Sequence, residues 1–179
     1  MKISGYPGRF FEDFAKGERI VHRLGRTVTY QDNLYFTHTL LNTNPVHFDK
    51  EYTELTEFKR PLLVMTMTIA LTYGITSETF KNAYKEIGIK DLRFTAPVFD
   101  GDTLHVETEI LDVREVGRED SGLVVAKHRV YKNNFSQLVC EFTREVLVYK
   151  RAYSPRWRIQ SQKDLIPSHI SSETSKLHP

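Results

Sequence analysis

Residues 42 to 47 read Asn42-Thr43-Asn44-Pro45-Val46-His47, and they gather the groups best suited to moving a proton. Imidazole changes charge near neutral pH, which fits His47 for general acid–base work. Asn44-Pro45 forces an extended or turning backbone, because the proline ring disfavours the helical region for the residue before it. A histidine two positions after a fixed-φ proline, with amide side chains at 42 and 44, is held in one orientation. The same six residues also suit a structural histidine satisfied by backbone groups in a tight turn.

The stretch resembles the MaoC-like, or hydratase 2, signature of hot-dog-fold enoyl-CoA hydratases and dehydratases. That signature runs aromatic residue, short spacer, Asp, any residue, Asn, Pro, aliphatic residue, His. Phe36 or the residues just after it take the leading place, and Asn44, Pro45, Val46 and His47 match as they stand. Asn42 stands where the family usually has its catalytic aspartate. Gly8-Arg9-Phe10-Phe11-Glu12-Asp13-Phe14, then Arg26-Thr27-Val28-Thr29 with Asp32-Asn33, is similar to the opening of the branch related to mesaconyl-CoA hydratases. In that branch an Asn-Thr-x-Pro-x-His version of the motif is familiar. Leu92-Arg93-Phe94, Pro97-Val98-Phe99 and Gly101-Asp102-Thr103-Leu104 match its later strand and turn, so the likeness spans roughly residues 8 to 150.

The resemblance implies an α+β chain with a single hot dog fold over residues 1–151. An antiparallel sheet wraps a central apolar helix, a helical segment overhangs it, and a polar tail fills 152–179. It also implies a lyase that adds or removes water across the 2,3 bond of an enoyl or 3-hydroxyacyl thioester. Coenzyme A enters as part of the substrate, with no other cofactor, and the chain pairs as a homodimer or higher homo-oligomer.

Such a reaction needs a base for water, a proton for the α-carbon and stabilisation of the thioester oxygen. The family places water between an aspartate and the histidine, and the thioester oxygen at the N-terminus of the central helix. Carried onto this chain, those donors lie near Val64, Met65 and Thr66. Asn42 cannot accept a proton, though it can hold water or the substrate's β-oxygen by hydrogen bonds. His47 then carries the proton alone, or Asp49, Asp32 or Glu51 supplies the missing carboxylate. Asn44 orients the turn or the water. A short dicarboxylyl or branched acyl-CoA would bring its own carboxylate, with Arg60 and Arg93 as partners; each arginine equally suits a surface salt bridge. Two alternatives stay open: a non-catalytic acyl-thioester binding protein, and a hot dog thioesterase.

The elements that must position these groups follow from patterning. Thr29 and Asp32 form a near capping box, predicting a helix from Tyr30 to about Leu40. Pro61 opens a second helix, apolar on nearly every side from Leu62 to Tyr73 and ended by Gly74, which belongs inside a core. Alternation predicts strands over 103–113, 123–130 and 137–149, with a hairpin turn at Lys132-Asn133-Asn134. A shorter strand at 90–95 precedes them, which implies a four-strand meander. No internal repeat is visible.

Composition excludes other classes. A chain of 179 residues is about one domain, and its apolar runs are too interrupted for a membrane span. Met1 to Phe14 shows no secretory signal, so a cytoplasmic protein is expected. Cys140 is the one cysteine, which rules out an intramolecular disulfide, and it lies in an alternating strand as core. Net charge of +2 demands no nucleic-acid partner. Lys150, Arg151, Arg156, Arg158 and Lys163 form either a solvated tail or an anion-attracting patch, and Trp157 is expected to anchor it. The histidines have no metal-ligand spacing, and neither a nucleotide-binding glycine loop nor a G-x-S-x-G elbow is present.

Overall fold

A computed structural model describes residues 8–155. Arg156, Trp157, Arg158 and Lys163 lie outside the described residues. In chain order the elements are β1 (Arg19–Val21), β2 (Arg26–Thr27), α1 (Tyr30–Thr39), α2 (Lys50–Glu54), α3 (Met65–Thr76), β3 (Ala83–Phe94), β4 (Thr103–Glu115), β5 (Ser121–Lys132) and β6 (Gln137–Tyr149). The strands form one antiparallel sheet in the order β1-β4-β5-β6-β3, with β2 also on β4.

Period-two alternation decides which face is buried. Leu104, Val106 and Ile110 on β4, Val124, Ala126 and Val130 on β5, and Cys140, Phe142, Val146 and Val148 on β6 are all fully buried. Met67 and Ile75 of α3 join that layer, so the sheet closes on the helix. The opposite face is a charge lattice, with Lys127 on Glu141 at 2.9 Å and Arg129 on Glu109 at 2.9 Å. The β5–β6 turn places Asn133 and Asn134 at φ of 51° and 57°, the left-handed region that asparagine tolerates. Burial pushes the Cys140 thiol up to about 12, with the Glu141 charge adding to it, so it is an inert core group.

Three expectations need correction. The central helix starts at Met65, not Pro61. Residues 61–64 are extended because their backbone is already paired: Leu62 N–H donates to Val46 O at 2.9 Å and Leu63 N–H to Val98 O at 2.9 Å. Nor is that helix buried all round: Met65 is 55% exposed, while Thr68, Thr72 and Thr76 face the core. Thr72 is tolerated there because its hydroxyl donates to Thr68 O at 2.8 Å. Finally, the strand expected at 90–95 runs from Ala83 to Phe94 and pairs with β6 rather than β4. Only β4, β5 and β6 form a meander. As an edge strand β3 has one neighbour and carries scattered charge, which hides its periodicity.

The first residues after β6 are tied to the body. Lys150 pairs with Glu115 at 2.8 Å, Arg151 with Asp13 at 2.7 Å, and Ser154 Oγ donates to Asn82 Oδ1 at 2.9 Å. Among the described residues, no helix is long and apolar enough to cross a membrane.

Candidate active site

The overhanging segment is built as the sequence predicts. Thr29 and Asp32 cap α1 reciprocally, and Asp32 also pairs with Arg26 at 3.1 Å. Burial opposes ionisation of Asp32, but hydrogen bonds with Thr29 and the Arg26 charge outweigh it and hold the carboxyl below its usual range. After α1, Leu41 adopts φ 56° and the chain turns back. Asn42 Oδ1 accepts from Asn44 N–H at 2.9 Å, and Asn44 Oδ1 accepts from Val46 N–H at 3.2 Å. Both amides therefore shape the turn that Pro45 starts, a single 3-10 turn over Pro45–His47.

That turn buries His47. Its Nδ1 lies 2.9 Å from the Leu62 carbonyl. A carbonyl only accepts, so Nδ1 carries a proton and Nε2 is the bare nitrogen of the neutral ring. Nε2 has no hydrogen bond to the described residues. No carboxylate forms an ion pair with His47 among them either. Asp49 instead caps α2, its side chain accepting from Tyr52 N–H at 3.0 Å, and makes no ion pair with His47. Asp32 is likewise occupied, and Glu51 lies in the exposed first turn of α2.

Leu62 leads directly into the N-terminus of α3. Val64 is the N-cap, with no side-chain cap and no acidic residue in the first turn. Of the three expected oxyanion donors, Val64 is removed, since its N–H donates to Asn33 Oδ1 at 3.0 Å. The N–H groups of Met65 and Thr66 have no partner among the described residues. An uncapped helix start with two free amides favours a developing negative charge. Beside it lies a cavity of about 280 Å³ lined by Leu62, Leu63, Met65, Thr68, Phe94 and Val139, among others, with no charged side chain. Its volume falls near the lower end for small-molecule sites.

The two arginines separate. Arg60 lies 4.1 Å above the Phe99 ring, and with Lys50, Lys59, Glu54 and Asp100 it lines a second cavity of about 440 Å³. Arg93 stands opposite Glu141 on the sheet face turned from α3, so it does not reach this site. Sequence reasoning missed Asn33, a buried amide that donates to His47 O at 2.8 Å and to Leu62 O at 3.1 Å. Asp32-Asn33 enters the resemblance above, but nothing in the sequence gives Asn33 a role beyond being a polar residue on the inward side of the helix. Among the described residues no group of His, Cys, Asp and Glu could hold a metal ion.

The MaoC like domain family matches residues 13–134, which includes the histidine turn, the start of α3 and the strands that hold them. The chain belongs to the MaoC-like family. This MaoC-like chain is 28% identical over 171 residues to the β-methylmalyl-CoA dehydratase of Chloroflexus aurantiacus, covering 93% of itself and 48% of that enzyme. It is 29% identical over 145 residues to the mesaconyl-CoA hydratase of Cereibacter sphaeroides, covering 80% and 42%. It thus spans about half the length of the curated relatives it matches. Among solved structures, a monoamine oxidase regulatory protein from Archaeoglobus superposes with a TM-score of 0.71 at 29% identity, over 80% of this chain and 95% of that one. A Mycobacterium tuberculosis protein with a double hotdog fold gives 0.69 at 20% identity, over 84% and 46%. The MaoC-like chain therefore has the hot dog fold.

Proposed function

We propose that this MaoC-like chain is an acyl-CoA hydratase or dehydratase, adding water to a 2-enoyl-CoA or removing it from the 3-hydroxyacyl-CoA. The observation that carries this reading is the bond from His47 Nδ1 to Leu62 O, which leaves Nε2 bare and ties the ring to the segment that opens α3, where the Met65 and Thr66 amides have no partner among the described residues. In the hydration direction Nε2 takes a proton from water as the oxygen attacks the β-carbon. The thioester oxygen, gaining enolate charge, is held by the two amides, and the proton returns to the α-carbon. Asn42 and Asn44 hold the turn, and the Asn42 amide is the group left to bind the water.

The uncharged 280 Å³ cavity suits a short acyl chain. The curated relatives are named for β-methylmalyl-CoA and mesaconyl-CoA, and the three cations Arg60, Lys50 and Lys59, against the two carboxylates Glu54 and Asp100, leave the second cavity with a net positive side for a carboxylate or for the coenzyme A phosphates. A homodimer fits the fold, because β3 is an exposed twelve-residue edge that a second copy would cover. The test is hydration of crotonyl-CoA and mesaconyl-CoA by wild type and His47→Ala. Turnover that depends on His47 supports a lyase. Release of free thiol indicates a thioesterase.

A second reading is a non-catalytic acyl-thioester binding protein. It is favoured by Asn42, whose side chain serves the turn while no carboxylate joins His47 in an ion pair among the described residues. Acyl-CoA bound without turnover of either substrate would establish it.

A further inference from the structure

The geometry points to Asn33 as the positioning residue that fixes the His47 imidazole relative to the free amides of α3; this rests on the function proposed above. Asn33 occupies the fourth position of α1 and is 3% exposed. Asparagine is a poor helix former, and a primary amide in a core is costly unless all its groups are bonded. Here all are. The amide has two N–H donors and two acceptor lone pairs. Nδ2 donates to His47 O at 2.8 Å and Leu62 O at 3.1 Å, while Oδ1 accepts from Val64 N–H at 3.0 Å and Thr37 Oγ1 at 3.4 Å.

The orientation of the amide is not a free choice. The two carbonyls only accept and therefore face Nδ2, and Val64 N–H only donates and therefore faces Oδ1. Each partner belongs to a different part of the site. His47 O is the backbone of the base itself. Leu62 O is also the acceptor for His47 Nδ1–H at 2.9 Å, so it sets the ring's tautomer. Val64 is the N-cap of α3, one residue before the free Met65 amide. Sliding His47 along α3 would break bonds at both ends of one rigid, planar group. Helix formation alone does not require asparagine here, and leucine, with the same branched outline, is the better helix former.

Two variants separate positioning from packing. Asn33→Leu keeps the branched outline in a larger side chain and loses every hydrogen bond. Asn33→Asp keeps the shape and the acceptor for Val64 but can donate to neither carbonyl. Near-UV circular dichroism confirms that each is folded. Histidine-¹⁵N spectra of the neutral ring then read the tautomer, and crotonyl-CoA hydration reads kcat against KM. The expected result is a wild-type His47 with the proton on Nδ1, mixed tautomers in both variants, and kcat lower by about 10- to 100-fold with KM near wild type. Folded variants that keep both the single tautomer and kcat overturn the assignment. So does a wild-type ring protonated on Nε2, with no variant needed. If Asn33→Asp does not fold, Asn33→Leu decides on the same readouts. If wild type hydrates no 2-enoyl-CoA, the hydratase reading fails by itself, while the tautomer still decides whether Asn33 positions His47.

Discussion

His47 Nδ1 and Asn33 Nδ2 converge on one acceptor, the Leu62 carbonyl, at 2.9 and 3.1 Å. That shared acceptor leaves Nε2 as the nitrogen for chemistry and ties the base to the chain two residues before the α3 cap. His47→Ala removes the base but leaves Asn33 bonded to the same backbone carbonyl at position 47. The expected outcome is an unfolding midpoint close to wild type, with kcat for hydration lower by about 10²- to 10⁴-fold. A spectrophotometric assay of enoyl-thioester loss beside a thermal melt checks both. An equal loss of stability and activity would mean a structural histidine.

Asn42→Asp tests the departure from the family motif. An aspartate at 42 can accept from Asn44 N–H as Asn42 Oδ1 does at 2.9 Å, so the turn is kept. It adds a group able to take a proton from water near His47. The expected outcome is a kcat raised by about tenfold or more, from the range a second acid–base group supplies. A folded variant with an unchanged or lower rate would show that water is not held at residue 42.

Much of this was legible in the sequence, for physical reasons that differ by element. The β4–β6 strands were readable because a one-sided sheet imposes strict alternation, and α1 because Thr29 and Asp32 satisfy each other locally. The start of α3 was not, since Pro61 to Val64 is apolar like the helix, and only distant partners, Val46 and Val98, keep it extended. The motif located His47 but could not give its tautomer, which depends on a carbonyl fifteen residues away. The role of Asn33 was hidden for the same reason: its partners off α1 lie on two distant segments, at His47 and at Leu62 with Val64.

Arg60 carries a prediction about the carrier rather than the chemistry. Its guanidinium is 4.1 Å from the Phe99 ring, and Lys50 and Lys59 line the same cavity. If these cations hold phosphate, Arg60→Ala raises KM for a CoA ester by about threefold to tenfold, as suits an exposed charge-assisted contact, and leaves kcat alone. The effect shrinks with rising salt. The matching N-acetylcysteamine thioester, which lacks the phosphates, should show no change. An equal KM change for both thioesters would place Arg60 on the acyl group instead.

A buried histidine chain sets the response to acid. His22 Nε2 and His128 Nδ1 lie 2.8 and 2.9 Å from the Thr108 hydroxyl, and His128 Nε2 has no partner among the described residues. Burial, with the Arg9 charge, lowers His22 to about 4; burial, with the Arg144 and His22 charges, lowers His128 to about 3. The folded rings stay neutral where unfolded ones, at about 6.5, take protons. Stability is therefore complete above about pH 6.5 and lost as pH falls toward 4, by about 1.4 kcal/mol per pH unit for each ring. Carboxylates with lowered pKa, such as Asp32, add to the loss below this window. Denaturant melts from pH 7 to 4.5 should show the slope, and His128→Gln should reduce it. A flat profile across that range would remove the claim.

The edge strand gives the last prediction. β3 ends the sheet with twelve residues, and Ile87, Ile89 and Leu92 on it are 50%, 43% and 41% exposed. Charged residues alternate with them along β3, yet an uncovered edge of that length still offers a row of backbone groups to another strand. A second copy meeting it across a two-fold axis makes each contact twice, residue i on j and j on i, so one added charge near the middle of β3 acts twice. Ile89→Lys should therefore convert a dimer to monomer while the fold persists, because the side chain is already partly in solvent. Sedimentation velocity over a hundredfold concentration range reads this directly, with low salt favouring dissociation since like charges repel more strongly there. A wild-type chain that sediments as a monomer throughout would sink the proposed homodimer, and an Ile89→Lys dimer as tight as wild type would move its interface away from β3.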